Sequence, residues 1–118
     1  MKLLALLVCF LGLCAAQVRE GNYDIRFEPS AKLQTGAPIP FQINVQDALR
    51  KPLPDAKVTL QIETTDHNSA KIFPAAAVNP GVYVAKPEFP AAGQWNVYVE
   101  VRRGDRMSSR TIDFSVPD

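Results

Sequence analysis

The stretch from Asn79 to Val101, "NPGVYVAKPEFPAAGQWNVYVEV", carries the strongest indication of the fold class. Its second half alternates apolar and polar side chains, which is typical of a half-buried β-strand because successive side chains point to opposite faces. "NPG" and "FPAAG" contain the turn residues that separate such strands. We therefore expect one face of this strand to be buried, with these side chains: Trp95, Val97, Val99 and Val101.

The same alternation recurs along the rest of the chain. It is strong in "FQINVQD" (41–47), "VTLQIET" (58–64) and "TIDFSV" (111–116). No stretch after residue 16 sustains the ~3.6-residue period of a helix. Weaker strands are predicted at Tyr23–Phe27, Ile72–Phe73 and Val82–Lys86. About seven short strands indicate an all-β protein, an immunoglobulin-like antiparallel β-sandwich.

Proline and glycine mark the connections between these strands. "RKPLPDA" (50–56) predicts a turn, because Pro52 and Pro54 have no N–H to donate to a strand ladder. "RGD" (103–105) predicts a hairpin turn before the last strand. The same three letters form the integrin-binding tripeptide, but a tight turn favours Gly-Asp in any case. No internal repeat divides the chain, so we expect a single domain over 17–118.

The first sixteen residues, "MKLLALLVCFLGLCAA", have the pattern of a secretory signal peptide: one lysine, an apolar run and small residues at the end. The run is too short to span a membrane as a helix. Residues 1–16 are therefore predicted to be removed, leaving an exported protein of the periplasm or the extracellular space. Lipid attachment at Cys14 is the alternative, and Leu13 is larger than the small residue expected before such a cysteine.

The positions of the cysteines and the net charge limit the chemistry expected of the exported chain. Cys9 and Cys14 both lie in the signal segment, so no disulfide or thiolate metal site is expected after cleavage. Without Lys2, 12 basic residues balance 12 acidic ones. Acidic residues also interleave with the arginines of the last hairpin. We expect no nucleic-acid partner and no attraction to an anionic membrane.

His67 is the only histidine, in the polar stretch "TTDHNSAK" (64–71). Imidazole is a ligand for copper, zinc, iron and nickel. The possible further donors are Glu63, Asp66, Met107 and the amine of Gln17, which cyclisation would remove. With one histidine and one methionine after the signal segment, an exposed loop histidine is the simpler interpretation, and a metal site at His67 and Met107 is the alternative.

No pattern of a catalytic site is present. The chain has no "GxSxG" elbow, no Walker loop and no dinucleotide fingerprint. Asp66 and His67 are adjacent in sequence, and neighbours in an extended chain point to opposite faces, so they do not form a triad with Ser69. We therefore expect that the protein is not an enzyme.

Two segments resemble one known family. "DALRKPLPDAKVTLQI" (47–62) is similar to a pattern of many extracellular β-sandwiches. The stretch 79–101 resembles the YtkA-like family, in which "G-x-Y-x-A" is followed by "F-P-x-A-G-x-W-x-V-x-V". The matching residues are Gly81, Tyr83, Ala85, Phe89, Pro90, Ala92, Gly93, Trp95, Val97 and Val99. The resemblance covers roughly 28–117, in the order of the family.

The resemblance implies an exported or membrane-tethered bacterial sandwich, similar to the periplasmic part of FixH-type proteins and to modules linked to copper or other metal handling. Many relatives carry "M-P-x-H-x-H/M" between the two segments. This chain has His67 there without the second histidine, the methionine or the proline. Within the fold, Trp95 is expected to fill the core with Tyr83 as a neighbour.

The expected function is therefore that of a non-enzymatic module of the cell envelope. We expect a monomer that binds a protein partner, not identified by the sequence, through a sheet face or an exposed edge strand. The alternative is a periplasmic copper-binding accessory protein with His67 as a ligand. No cofactor other than this metal is expected.

Overall fold

The computed structural model describes residues 19–118, so the predicted signal peptide with Cys9 and Cys14 lies outside the described residues. The described chain forms strands and turns, with no helix among residues 19–118. The all-β prediction is confirmed. The strands are β1 (Arg19–Glu20), β2 (Asp24–Pro29), β3 (Phe41–Gln46), β4 (Lys57–Thr64), β5 (Ala70–Pro74), β6 (Ala76–Asn79), β7 (Val82–Ala85), β8 (Gly93–Arg103) and β9 (Arg106–Val116).

Two sheets form the predicted immunoglobulin-like sandwich. One has the order β1-β9-β8-β4-β5 and the other β2-β3-β7-β6. All neighbours are antiparallel except β1 and β9, which run parallel. The orders β2-β3-β7-β6 and β9-β8-β4 correspond to strands ABED and GFC of an immunoglobulin domain. Residues 19–118 contain no helix of the length and apolarity that crossing a bilayer requires.

The strand count differs from the prediction of about seven: the described residues contain nine strands. The two additional strands are β1 and β6. Both are exposed along their whole length, so neither shows the alternation of a half-buried strand. β9 also begins at Arg106, five residues before the apolar alternation at 111–116, because the hairpin pairs it with β8 along its entire length.

The predicted hairpin turn is confirmed. β8 ends at Arg103 and β9 begins at Arg106, leaving a two-residue loop of Gly104 and Asp105. Gly104 has φ of 64°, the positive angle that a type II′ hairpin loop requires at its first residue. Arg19 of β1 packs beside this loop, and its backbone N–H donates to the carbonyl of Asp105 at 2.6 Å.

The core lies between the two sheets and contains the side chains that the alternation placed inward. Trp95 is 2% exposed and the three valines that follow it on the same face are fully buried. The Trp95 ring packs edge-on against Phe89 at 5.6 Å, and its Nε1–H donates to the carbonyl of Ala91 at 2.9 Å. Tyr83, expected to be a neighbour of Trp95, is buried in the same core, and its hydroxyl donates to the carbonyl of Leu53 at 2.7 Å and so fixes the 50–56 turn.

The two lateral sides of the sandwich differ. On one side, Arg110 of β9 reaches the carbonyl of Ile25 in β2 at 2.7 Å, and Phe114 packs against Phe27 and Phe41. The opposite side consists of β5 and β6, which are the outermost strands of the two sheets. Ala75 alone joins these strands, and its N–H donates to Val58 of β4 at 2.9 Å. The chain therefore passes from one sheet to the other between residues 75 and 76.

Candidate functional site

The turn that contains His67 connects β4 to β5 and is held by Asp66. One Asp66 carboxylate oxygen accepts from the Thr64 hydroxyl at 2.6 Å and from the Asn68 backbone N–H at 3.0 Å, and the other accepts from the Asn68 side chain at 3.0 Å. The Thr64 hydroxyl and then the Asn68 N–H lower the pKa of Asp66 below its ordinary value of 3.8. A lowered pKa means that this carboxylate favours the folded turn above its ordinary pKa, and the benefit is lost as pH falls through the lowered value.

His67 occupies the left-handed position of this turn, with φ of 61°. Its backbone N–H donates to Thr64, and its ring Nδ1 lies 2.9 Å from a carboxylate oxygen of Glu63. The His67 side chain is 68% exposed. Asp66 is held by Thr64 and Asn68, so the ring of His67 is oriented by Glu63 and not by its sequence neighbour. The structure thus brings together one of the donor pairs considered from the sequence.

Met107, the other predicted metal ligand, lies far from His67. Met107 in β9 is opposite Arg102 of β8, whereas the His67 turn begins after Thr64, which is opposite Trp95 of β8. Seven residues of β8 separate these two levels, or about 23 Å along an extended strand. Met107 and His67 are therefore at opposite ends of the sheet and cannot coordinate one ion.

The donors present at this turn do not complete a metal site. Gln17 lies outside the described residues, and residues 19–118 hold no group of three or more histidine, cysteine, aspartate or glutamate side chains able to bind one ion. A zinc site takes three or four protein ligands, and copper favours sulfur and imidazole. The exposed His67 and the half-buried Glu63 supply two donors, so this donor set does not fit a resident copper or zinc ion.

A second candidate is the outer face of the four-stranded sheet, where side-chain character changes from strand to strand. β2 presents the charged Asp24, Arg26 and Glu28, and β3 presents uncharged amides. Val82 and Val84 of β7 follow, and β6 then adds alanine and valine, with the amide of Asn79 at its end opposite Val82. The face therefore turns from charged to aliphatic as it approaches the free edge of the sheet.

The aliphatic half of this face forms a shallow depression that we call the β6 surface. Val78 is an aliphatic residue that would be buried in a core, but its side chain is 54% exposed on this surface. Apolar side chains exposed singly are common, whereas a contiguous group beside a free edge is typical of an interaction site. The residues that line the surface are Phe73, Pro74, Ala76, Val78, Val84 and Lys86.

Sequence reasoning did not assign this surface. Its only local indication is "IFPAAAV" (72–78), an uninterrupted apolar run between two polar stretches. Such a run fits a buried strand as well as an exposed one. All four residues of β6 are exposed, which follows from the position of β6 at the edge of the sheet and not from its composition.

The fold and these two surfaces define a small immunoglobulin-like module. The chain belongs to the YtkA-like family, whose profile matches residues 17–100. Among solved structures, the crystal structure of a DUF4426 family protein from Pseudomonas aeruginosa PAO1 is similar, with a TM-score of 0.51 and 17% identity, covering 85% of this chain and 96% of that one. At that identity the likeness shows the fold alone. No curated protein sequence matches the chain.

Proposed function

We propose that this protein is a non-enzymatic, exported module of the cell envelope that acts by binding another protein. The observation that carries the proposal is the β6 surface, which exposes a contiguous aliphatic group at the free edge of a sheet. Exposed edges and apolar patches are the two features by which β-sandwiches commonly bind polypeptide partners. Export rests on the signal-peptide pattern of residues 1–16.

The β2 and β3 half of the same face is less suited to binding a protein than the β6 and β7 half. Asp24 and Arg26 form an ion pair at 3.1 Å on β2, and Gln42 lies within 3.5 Å of Asn44 on β3. Polar side chains that already have partners or are well hydrated gain little from contact with another protein. Aliphatic side chains that leave water contribute about 25 cal/mol for each Å² buried. Binding is therefore expected at β6 and β7.

Copper handling, implied by the family, is the second candidate function. The contact of 2.9 Å between His67 and Glu63 is the observation in its favour, since the pair offers one nitrogen and one oxygen donor at an exposed turn. It ranks behind protein binding because two donors do not complete a site. The exported protein acts as a monomer in both proposals.

Site-directed photo-crosslinking in the producing cell tests protein binding. A photoreactive amino acid is placed at Val78, and a matched one at Gln42, which is exposed on the same face two strands away. We expect an adduct of discrete mass from Val78 and none of that mass from Gln42.

Two charge variants give this experiment its control. Val84→Lys places a cation in the β6 surface and is expected to reduce the adduct at least fivefold. Asn44→Lys places the same cation on β3 of the same face and is expected to leave the adduct unchanged. Both variants must melt as the parent protein does. Equal adducts from Val78 and Gln42, or an adduct insensitive to Val84→Lys, would refute the proposal.

A further inference from the structure

Resting on the proposed function, we propose that the β6 surface binds an extended aliphatic segment of its partner, which adds beside β6 as a further strand and places a carboxylate at Lys86. The proposal thus specifies the partner by its chemistry: alternating aliphatic side chains, an extended backbone and an acidic residue. It combines the free backbone of β6 with the side chains that line the depression.

The backbone of β6 is available on one side. β6 pairs with β7, and no other strand among the described residues pairs with it. The outward N–H and C=O groups of an edge strand form a template on which an extended peptide can be added. In β-augmentation of this kind, main-chain hydrogen bonds provide affinity and alternate side chains provide specificity.

The other sheet edges are less suited to strand addition. β5 carries Lys71 at the position opposite the buried Ile62, and a charge at an inward-facing position of an edge strand disfavours pairing. Pro74 removes one N–H from the same strand. On the far side, the Arg110 side chain donates a hydrogen bond to the carbonyl of Ile25 in β2. The first residues of β9 are already paired with β1. β6 is the edge strand without a charged side chain.

The lining of the surface specifies an acidic residue in the partner. Lys86 is the one charged residue of the depression, and none of the four ion pairs found among residues 19–118 includes it. Asp24 and Glu28 are on β2, two strands from the end of β7 that Lys86 follows, or about 10 Å away. Glu88, two residues after Lys86, forms no ion pair with it in the part of the chain that the structure describes. A carboxylate brought by the partner therefore meets an unneutralised ammonium group in a largely aliphatic setting.

A second copy of this chain does not fit the surface. Pairing of β6 with β6 would place the bulge between Ala77 and Asn79 on both strands, whereas an extended segment of a partner meets it once. Stable protein interfaces bury about 800 Å² on each partner. Two copies would also contribute two lysines and no carboxylate from these surfaces.

Titration of the isotope-labelled, exported protein with synthetic peptides tests the inference by NMR. The first probe is an end-blocked peptide of alternating valine and threonine flanked by aspartate. The second has lysine in place of aspartate. The third is the aspartate peptide with alternate backbone nitrogens methylated, so that it cannot add as a strand. We expect shifts of the amides of Ala76, Ala77 and Val78 with the first probe, with binding about two- to fivefold tighter than that of the second and no binding of the third.

Charge reversal supplies the control. Lys86→Glu is expected to invert the preference, so that the lysine peptide binds more tightly than the aspartate peptide. Lys57→Glu reverses an exposed lysine on the other sheet and is expected to leave the preference unchanged. No binding of the first probe, equal binding of the methylated probe, shifts centred on another strand, or self-association through β6 would each overturn the inference.

Failure of the inference and failure of the proposed function give different results. If the peptides do not bind at β6 while the Val78 crosslink and its loss in Val84→Lys persist, the partner binds the surface by another mode and the protein-binding function stands. If the crosslink is absent as well, the proposed function itself fails.

Discussion

The turn between β4 and β5 explains, in structural terms, why a histidine can stand at position 67. The left-handed backbone at φ of 61° is one that histidine adopts more readily than most side chains, and Asp66 fixes the turn around it. Glu63 lies four residues earlier, near the end of β4, and its carboxylate oxygen is 2.9 Å from Nδ1 of the His67 ring. The position of His67 is therefore explained by a hydrogen-bonded turn and by its contact with the carboxylate of Glu63, without a metal ion.

The metal hypothesis leads to a prediction at this residue. Calorimetric titration of Cu(II) and Zn(II) into the exported protein and into His67→Ala is expected to give the same heats, because His67 and Glu63 are two donors that no third joins among residues 19–118. Glu63→Ala serves as the matched variant for the other donor. Stoichiometric binding that both substitutions abolish would contradict this expectation and favour the copper-handling role.

At the level of elements, the connection between β6 and β7 controls how the binding face is formed. Gly81 turns the chain with φ of 77°, and its carbonyl accepts from the Val45 N–H at 2.9 Å. A Cβ at this position would lie 2.7 Å from the Cβ of Pro52. Glycine is thus required twice, by its backbone angle and by the close approach of the 50–56 turn. This is a physical reason for the glycine that opens the "G-x-Y-x-A" motif.

Gly81→Ala is expected to destabilise the protein more than Gly36→Ala. The two glycines have φ of 77° and 76°, but Gly36 has no atom within 4 Å of a new Cβ. Gly36→Ala therefore reports the backbone cost alone, about 1 to 2 kcal/mol. Gly81→Ala adds the steric conflict with Pro52, a further 1 to 3 kcal/mol or so. Urea unfolding measures both, and equal losses would show that the close approach is unimportant.

At the level of the whole molecule, the sandwich depends on packing between its two sheets. Residues 19–118 contain no cysteine, so no disulfide contributes within the described domain. Phe41 contacts Phe27, Phe89 and Phe114, and Phe89 in turn packs on Trp95, so an aromatic chain crosses the core from one lateral side towards β8. Removal of a ring from this chain leaves a cavity that rigid strands fill poorly.

Trp95→Ala is expected to lower the free energy of unfolding by about 3 to 5 kcal/mol, a large share of the 5 to 15 kcal/mol typical of a small domain. The indole buries its ring against Phe89 and donates to Ala91, and both interactions are lost. Thermal unfolding followed by near-ultraviolet circular dichroism measures the change. Asn96→Ala, on the opposite face of the same strand, is the control and should melt near the parent.

A cooperative transition of Trp95→Ala within a few degrees of the parent protein would contradict this view of the core. It would mean that the valines of β8 and the phenylalanine chain stabilise the sandwich without the indole.

The amino-acid sequence alone determined the fold class, the inward face of the main strands and the family. Alternation is a local property, since the parity of a residue along a strand decides which face it occupies. Only the tertiary structure decided that residues 19–118 form nine strands, that β6 is a free edge and that Met107 is remote from His67. Strand order joins segments far apart in sequence, and whether a valine such as Val78 is buried or exposed depends on which strand, if any, covers it.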